Sequence, residues 1–151
     1  MTKSSLFKLV ETVTSAPGYT SSIGARVVAA EAGYVELALD RRPELLQING
    51  FFHGGVIAGL ADHAAGGAVT TALPDNRFAV TVCLEVNFLA PANGETLIAR
   101  AKAVQARSTI GVARVDIISQ ASGVETICAI ATVTLRAVDM PARTSVPPAS
   151  T

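Results

Sequence analysis

The 151 residues are half hydrophobic and only 16% charged, so the chain has the length of one domain and an apolar content that excludes intrinsic disorder for its body. Twelve Lys and Arg balance twelve Asp and Glu, which excludes the basic field needed to hold nucleic acid or an anionic membrane surface. No segment has the apolar length of a membrane span, and Lys3, Lys8 and Glu11 interrupt any signal-like run, so a cytoplasmic protein is expected.

In chain order, Ser4 or Ser5 is expected to cap a short helix that carries Leu6, Phe7, Leu9, Val10 and Val13 at helical spacing and stops at Pro17-Gly18. From about Ser22 to Asp40 the pattern becomes two strands hinged near Gly33, with Val35, Leu37 and Leu39 alternating against Glu36 and Ala38. Residues 41–52 read as a loop. The segment from His53 to Leu73 lacks β-branched alternation and places Val56, Ile57 and Leu60 at helical spacing, which predicts one helix of about five turns. Gly54, Gly55, Gly59, Gly66 and Gly67 weaken it by up to ~1 kcal/mol each relative to alanine, so it must be buried to persist.

After a turn at Pro74-Asp75-Asn76, four runs of strand length follow: Arg77–Leu89, Glu95–Ala106, Thr109–Gln120 and Gly123–Ala137. They are expected to connect as an antiparallel meander. The last run alternates Ile127, Ala129, Ala131, Val133 and Leu135 against Cys128, Ile130, Thr132, Thr134 and Arg136, which suits a central strand covered on both faces. Cys83 and Cys128 lie in these apolar runs without metal-ligand spacing, so both are expected as buried reduced thiols, with no metal site. Residues 139–151 are rich in Pro, Ser and Thr and read as a disordered tail to a single domain of residues 1–138. Helix, two strands, long buried helix and four strands together give an α+β architecture: a six-stranded antiparallel sheet wrapped around a central helix, with a short N-terminal helix.

The densest functional chemistry is in residues 47–62, QINGFFHGGVIAGLAD. Gly54 and Gly55 follow His53 at the expected helix start, where backbone N–H groups lack intrahelical partners and sit at the positive end of the dipole, the outline of an oxyanion hole. A capping histidine at a loop-to-helix junction is the other reading of the same residues. Asp62 is the lone carboxylate on this helix, and an acid in a segment that must be buried needs either a neighbouring backbone donor or a catalytic task.

At 100° per residue, Asp62 shares a small-residue face with Gly55, Ala58, Gly59, Ala65, Gly66 and Val69. It also lies about 12 Å along the axis from Gly54, beyond the reach of an aspartate side chain. If both act on one substrate, two chains are required. Pairing Asp62 with the Gly55 of an antiparallel second copy puts the two-fold axis between Ala58 and Gly59.

The order Gln47-x-x-Gly50-x-x-His53-Gly54-Gly55, with a carboxylate nine positions after the histidine, resembles the hotdog-fold acyl-CoA thioesterases of the PaaI and 4-hydroxybenzoyl-CoA type. The resemblance covers roughly residues 20–137 in element order. It implies that Gly55, with Gly54, donates N–H to the thioester oxygen. Gln47 would stand near the thioester and the attacking water, with Asn49 two places from the matched position. Asp62 would be general base or nucleophile, supplied across a dimer interface. Aspartate here mixes two sub-patterns of the family, so the water-mediated and acyl-anhydride routes both stay open.

Thr81 matches a hydroxyl that some relatives use to hold the water. Strand alternation, however, points Val80, Val82, Leu84, Val86 and Phe88 at the helix and Thr81 away with Cys83 and Glu85, so the match requires a bulge. Gln105-Ala106-Arg107-Ser108 resembles a turn that binds coenzyme A phosphates, for which Arg107 and Ser108 are suitable donors, and an exposed hairpin turn is the plain alternative. The resemblance implies a homo-oligomer, a dimer or dimer of dimers, hydrolysing acyl-CoA without a cofactor. A non-catalytic acyl-CoA sensor and an enoyl-thioester hydratase are the rival functions on this fold. Phe7, Phe51, Phe52 and Phe88 can line an aromatic or medium-chain acyl pocket or serve as core.

Overall fold

The computed structural model describes residues 1–140. Its elements run α1 (Lys3–Ser15), α2 (Tyr19–Ile23), β1 (Arg26–Glu31), β2 (Tyr34–Asp40), a 3-10 turn at Pro43–Leu45, α3 (Gly54–Ala72), β3 (Arg77–Phe88), β4 (Thr96–Ala106), β5 (Ile110–Ala121) and β6 (Val124–Asp139). All strand pairings are antiparallel, and the six strands form one sheet in the order β1-β2-β4-β5-β6-β3. Helix α3 packs against the concave side of that sheet, so the expected α+β wrap is observed. Among the described residues no helix is long and apolar enough to cross a membrane.

Several local expectations are corrected. Thr2, rather than Ser4 or Ser5, caps α1: its side-chain oxygen accepts the Ser5 N–H at 3.2 Å, and Ser5 is itself helical. Ser22 belongs to a second short helix, which Gly24 ends in the left-handed region at φ 79°. The hinge at Gly33 is as expected, with φ 78°. Strands β4, β5 and β6 form a meander, but β3 is not beside β4; it lies at the far edge against β6. The connecting segment makes this possible by crossing the end of the sheet. Leu89 and Ala90 donate to Cys128 O at 2.9 and 3.2 Å, and Glu95 donates to Gln120 O at 2.8 Å. Asp139 continues β6 opposite Arg77, one residue past the expected domain end, and the rest of the expected tail, 141–151, lies outside the described residues.

Four register shifts interrupt the ladders, at Val28 of β1, Val82 of β3, Val104 of β4 and Cys128 of β6, and those on β3 and β6 change which side chains face the helix. On β3 the register jumps between Thr81, opposite Leu135, and Cys83, opposite Thr134, leaving Val82 as the extra residue. Ala79 and Thr81 therefore face the helix before the bulge, and Leu84, Val86 and Phe88 after it, while Val80, Val82 and Cys83 are exposed. Cys83 is thus no buried thiol, although Cys128 is one. On β6 a second shift leaves Cys128 as the extra residue, so Ile127 opposes the outward Ile118 instead of sharing the face of Ala129. Residues Ala129, Ala131, Val133, Leu135 and Ala137 are buried, whereas Thr132 and Arg136 on the opposite face are exposed, so β6 is covered on one face only.

The core is built from many small residues, which lets helix and sheet approach closely. Ala61, Ala64, Ala65, Ala68 and the larger Ile57, Leu60 and Val69 of α3 meet Leu37, Ala99, Ala113, Val115 and Val133 of the sheet. Ala65 and Val69, expected on the outward small face, are fully buried instead. Gly111 on β5 explains the inward placement of Val69, since any Cβ at Gly111 would overlap the Val69 side chain.

Candidate active site

Residues 46–52 form a tight loop closed by a bridge between Leu46 and Phe52. Gly50 turns it at φ 82°. Arg41 anchors the loop, donating to Gly50 O and to the carbonyls of Asn93 and Gly94 at 3.1 and 3.3 Å. Within it, Gln47 Oε1 accepts the Asn49 N–H at 2.6 Å, which leaves the Gln47 amide nitrogen as the free donor, while Asn49 itself is exposed.

The loop delivers His53 to the N-cap of α3. Its Nδ1 accepts the Gly55 N–H at 2.9 Å, and the His53 backbone N–H donates to Leu45 O at 2.9 Å. The capping reading of His53 is therefore present in the structure. Gly54 N–H, at the first helical position, has no partner among the described residues. The Phe88 ring lies 3.3 Å from where a Gly54 Cβ would stand, so the aromatic face crosses the helix start at glycine.

Two turns further on, Asp62 is half-buried, and its Oδ1 accepts the Thr81 hydroxyl at 2.7 Å. The bulge at Val82 produces this contact, because it puts Thr81 on the helix-facing side of β3. Asp62 shares its partly exposed face with Gly55, Ala58, Gly59 and Gly66. Gly59, however, is covered from within the chain: a Cβ there would overlap the Tyr19 ring of α2. The absent side chain at Gly59 thus makes room for Tyr19.

Asp62 and Thr81 open onto a cavity of about 440 Å³ between α1, α3 and β3. Leu9, Val10 and Val13 form one wall and Gly66, Thr70 and Ala79 the other. None of Phe7, Phe51, Phe52 and Phe88 lines it. Sequence reasoning also missed His63, which borders the cavity beside Asp62 and pairs through Nε2 with the buried Thr14 hydroxyl of α1 at 2.9 Å. Burial holds the His63 imidazole below its ordinary pKa, against the opposing charge of Asp62. A threonine at the third step of the buried Leu6-Val10-Thr14 stripe is the signal that a polar partner waits on the neighbouring helix.

The structure brings Asp62 and Thr81 together and keeps the other expected residues apart from them. Gln47, Asn49, His53, Gly54 and Gly55 gather at the helix start, about 12 Å along the axis from the acid. Arg107 and Ser108 are exposed on the β4–β5 turn, where Ser108 O accepts from Arg77 at 2.8 Å, near the opposite end of β3 from Phe88. Among the described residues no three His, Cys, Asp or Glu side chains cluster as metal ligands would. Chemically, a carboxylate with one oxygen held by a hydroxyl, facing an apolar cavity, is equipped to take a proton from water or to attack a carbonyl.

Residues 49–126 match the sequence profile of the thioesterase superfamily. A protein of Halobacterium salinarum named as a candidate esterase is 36% identical over 118 residues, covering 75% of this chain and 78% of its own. A solved thioesterase family protein from Silicibacter pomeroyi superposes with TM-score 0.85 at 30% identity, over 89% of this chain and 98% of that one. The E. coli PaaI protein of the phenylacetic acid degradation operon superposes with TM-score 0.79 over 91% and 96% of the two chains, and at 18% identity it shows a shared fold alone.

Proposed function

The chain belongs to the thioesterase superfamily and is a thioester hydrolase with the hotdog fold, and from that premise we propose that it cleaves an acyl-coenzyme A to the free acid and coenzyme A. The observation that carries the reading is the Thr81–Asp62 hydrogen bond at the mouth of the apolar cavity. Thr81 fixes Oδ1, so Oδ2 is left to accept a proton from water. The water oxygen attacks the thioester carbonyl, the developing oxyanion takes N–H groups from Gly54 and Gly55, and collapse expels the coenzyme A thiolate, which regains a proton. Gly55 can serve only when the His53 ring yields its hydrogen bond, whereas Gly54 N–H is free from the start. We assign the Gln47 amide nitrogen the role of donor to the thioester or the water, with Asn49 beside it in the loop, and Arg107 and Ser108 that of donors to coenzyme A phosphates.

The ~12 Å between acid and glycines argues that each site takes Asp62 from one copy and Gly54 and Gly55 from another. Two further features support a homo-oligomer: β3 is an edge strand with one side unpaired, and its Val80 and Val82 are exposed. Asp62→Asn is expected to lower kcat for acyl-CoA hydrolysis by about 10² or more, with the fold retained, as followed by release of free thiol. Unchanged turnover would remove Asp62 from the chemistry. Undiminished acyl-CoA binding with no hydrolysis in the unaltered protein would favour the sensor, a reading to which the engaged Gly55 N–H lends support.

A further inference from the structure

The apolar cavity runs lengthwise along α3. Asp62, Gly66 and Thr70 follow every fourth residue on its wall, so it extends about 12 Å beyond the acid. Its volume of about 440 Å³ compares with the ~150 Å³ that suffices for a benzene ring. Midway stands Gly66, where a Cβ would meet nothing within 4 Å, while at Gly67 it would meet Val35 at 3.1 Å. The missing side chain at Gly66 is therefore open space inside the cavity, at a helix position where glycine is otherwise unfavourable. At the far end, Leu9, Thr70 and Met140 line both this cavity and an adjoining one of about 370 Å³, so the Leu9 and Met140 side chains stand between the two.

Beyond the acid the walls are mainly apolar, with Leu9, Val10, Val13 and Phe78 among them. Thr70 Oγ1 accepts the Ala79 N–H at 3.0 Å, and His63 Nε2 is taken by Thr14 at 2.9 Å. A hydroxyl or charge carried past them would exchange its water shell for at most the Thr70 hydroxyl proton and His63 Nδ1, a poor return for desolvation.

We propose that the site takes an extended, predominantly apolar acyl group, with Gly66 the residue that lets the chain pass the midpoint and Leu9, beside Met140, closing the far end. The proposal rests on Asp62 marking the thioester end. An extended backbone advances ~3.3–3.6 Å per three bonds, so ~12 Å accommodates an all-trans chain of about ten carbons.

The test is kcat/KM across acetyl-, butanoyl-, octanoyl-, decanoyl- and tetradecanoyl-CoA, with benzoyl-CoA as a compact ring. The unaltered protein is expected to prefer decanoyl to acetyl and to benzoyl by tenfold or more and to decline at tetradecanoyl. Gly66→Val should lower the decanoyl-to-butanoyl ratio by ten- to a hundredfold. Leu9→Ala should raise the tetradecanoyl-to-decanoyl ratio at least fivefold, a gain that damage to the fold cannot mimic. Ratios unmoved in both variants, or a benzoyl preference, would overturn the proposal. If no acyl-CoA is hydrolysed, the hydrolytic reading fails by itself. The length inference is then decided by displacement of 1-anilinonaphthalene-8-sulfonate with decanoate: displacement lost in Gly66→Val supports it, and equal displacement in both proteins refutes it.

Discussion

Thr81 reaches Asp62 because Val82 has no partner on β6. Strict alternation over Arg77–Phe88 would have turned the hydroxyl outward with Glu85, and a run of β-branched and apolar residues gives no sign of where a bulge falls. The acid was legible for the opposite reason: one carboxylate in an otherwise apolar helix stands out in composition alone. His63 was not legible, since its meaning depends on Thr14, 49 residues away. Replacing Thr81 with valine keeps the shape and removes the donor to Asp62 Oδ1. The expected loss is about tenfold in kcat, equivalent to ~1.4 kcal/mol of barrier, with KM little changed. Steady-state kinetics at one pH checks this, and a kcat equal to that of the unaltered protein would mean Thr81 only decorates the strand.

Among the elements, the long helix that starts at Gly54, the Gly33 hinge and the four later strands were written in periodicity and turn residues, whereas the short helix Tyr19–Ile23, read as the start of a strand, was not. The position of β3 was not, because pairing partners depend on where a connection travels, and Leu89–Glu95 crosses the sheet end by hydrogen bonds to β6 and β5 that no local pattern encodes. Helix α1 is docked by Leu6 and Val10 and by the Thr14–His63 pair. The unfolded chain takes up a proton on His63 at about pH 6.5, whereas in the fold burial resists that proton until lower pH. The contribution of this group to stability is therefore full above about pH 6.5 and is lost as pH falls toward the depressed folded value. Thermal midpoints measured from pH 7.5 to 5 should fall for the unaltered protein and fall less for His63→Gln. Identical slopes would assign the dependence to other groups.

For the molecule as a whole, active sites divided between copies make a prediction that no single-chain site can meet. Asp62→Asn and Gly55→Pro, each inactive alone, should regain activity when unfolded and refolded together. In a mixed dimer one of the two sites draws Asp62 and Gly55 from the unaltered positions, so an equimolar mixture is expected to recover about a quarter of full activity. Thiol release by the mixture, with refolded single variants as controls, measures it; recovery absent from well-mixed dimers would confine both groups to one chain.

The place of β3 at the sheet edge also bears on how the molecule is made. Among the described residues its one neighbour is β6, which follows it by three elements, so β3 is made with no strand to pair with while the next 35 residues, 89–123, are added. At ~5–20 residues per second that interval lasts roughly 2–7 s, during which Val80, Val82, Leu84 and Val86 are uncovered along an open edge. The Thr81–Asp62 pair can be stabilised only once β6 has fixed the register of β3, so acid and hydroxyl meet late. Nascent chains stalled before Val124 should accordingly be the ones that engage chaperones and aggregate, and a stall beyond Asp139, with the strand clear of the exit tunnel, should release them.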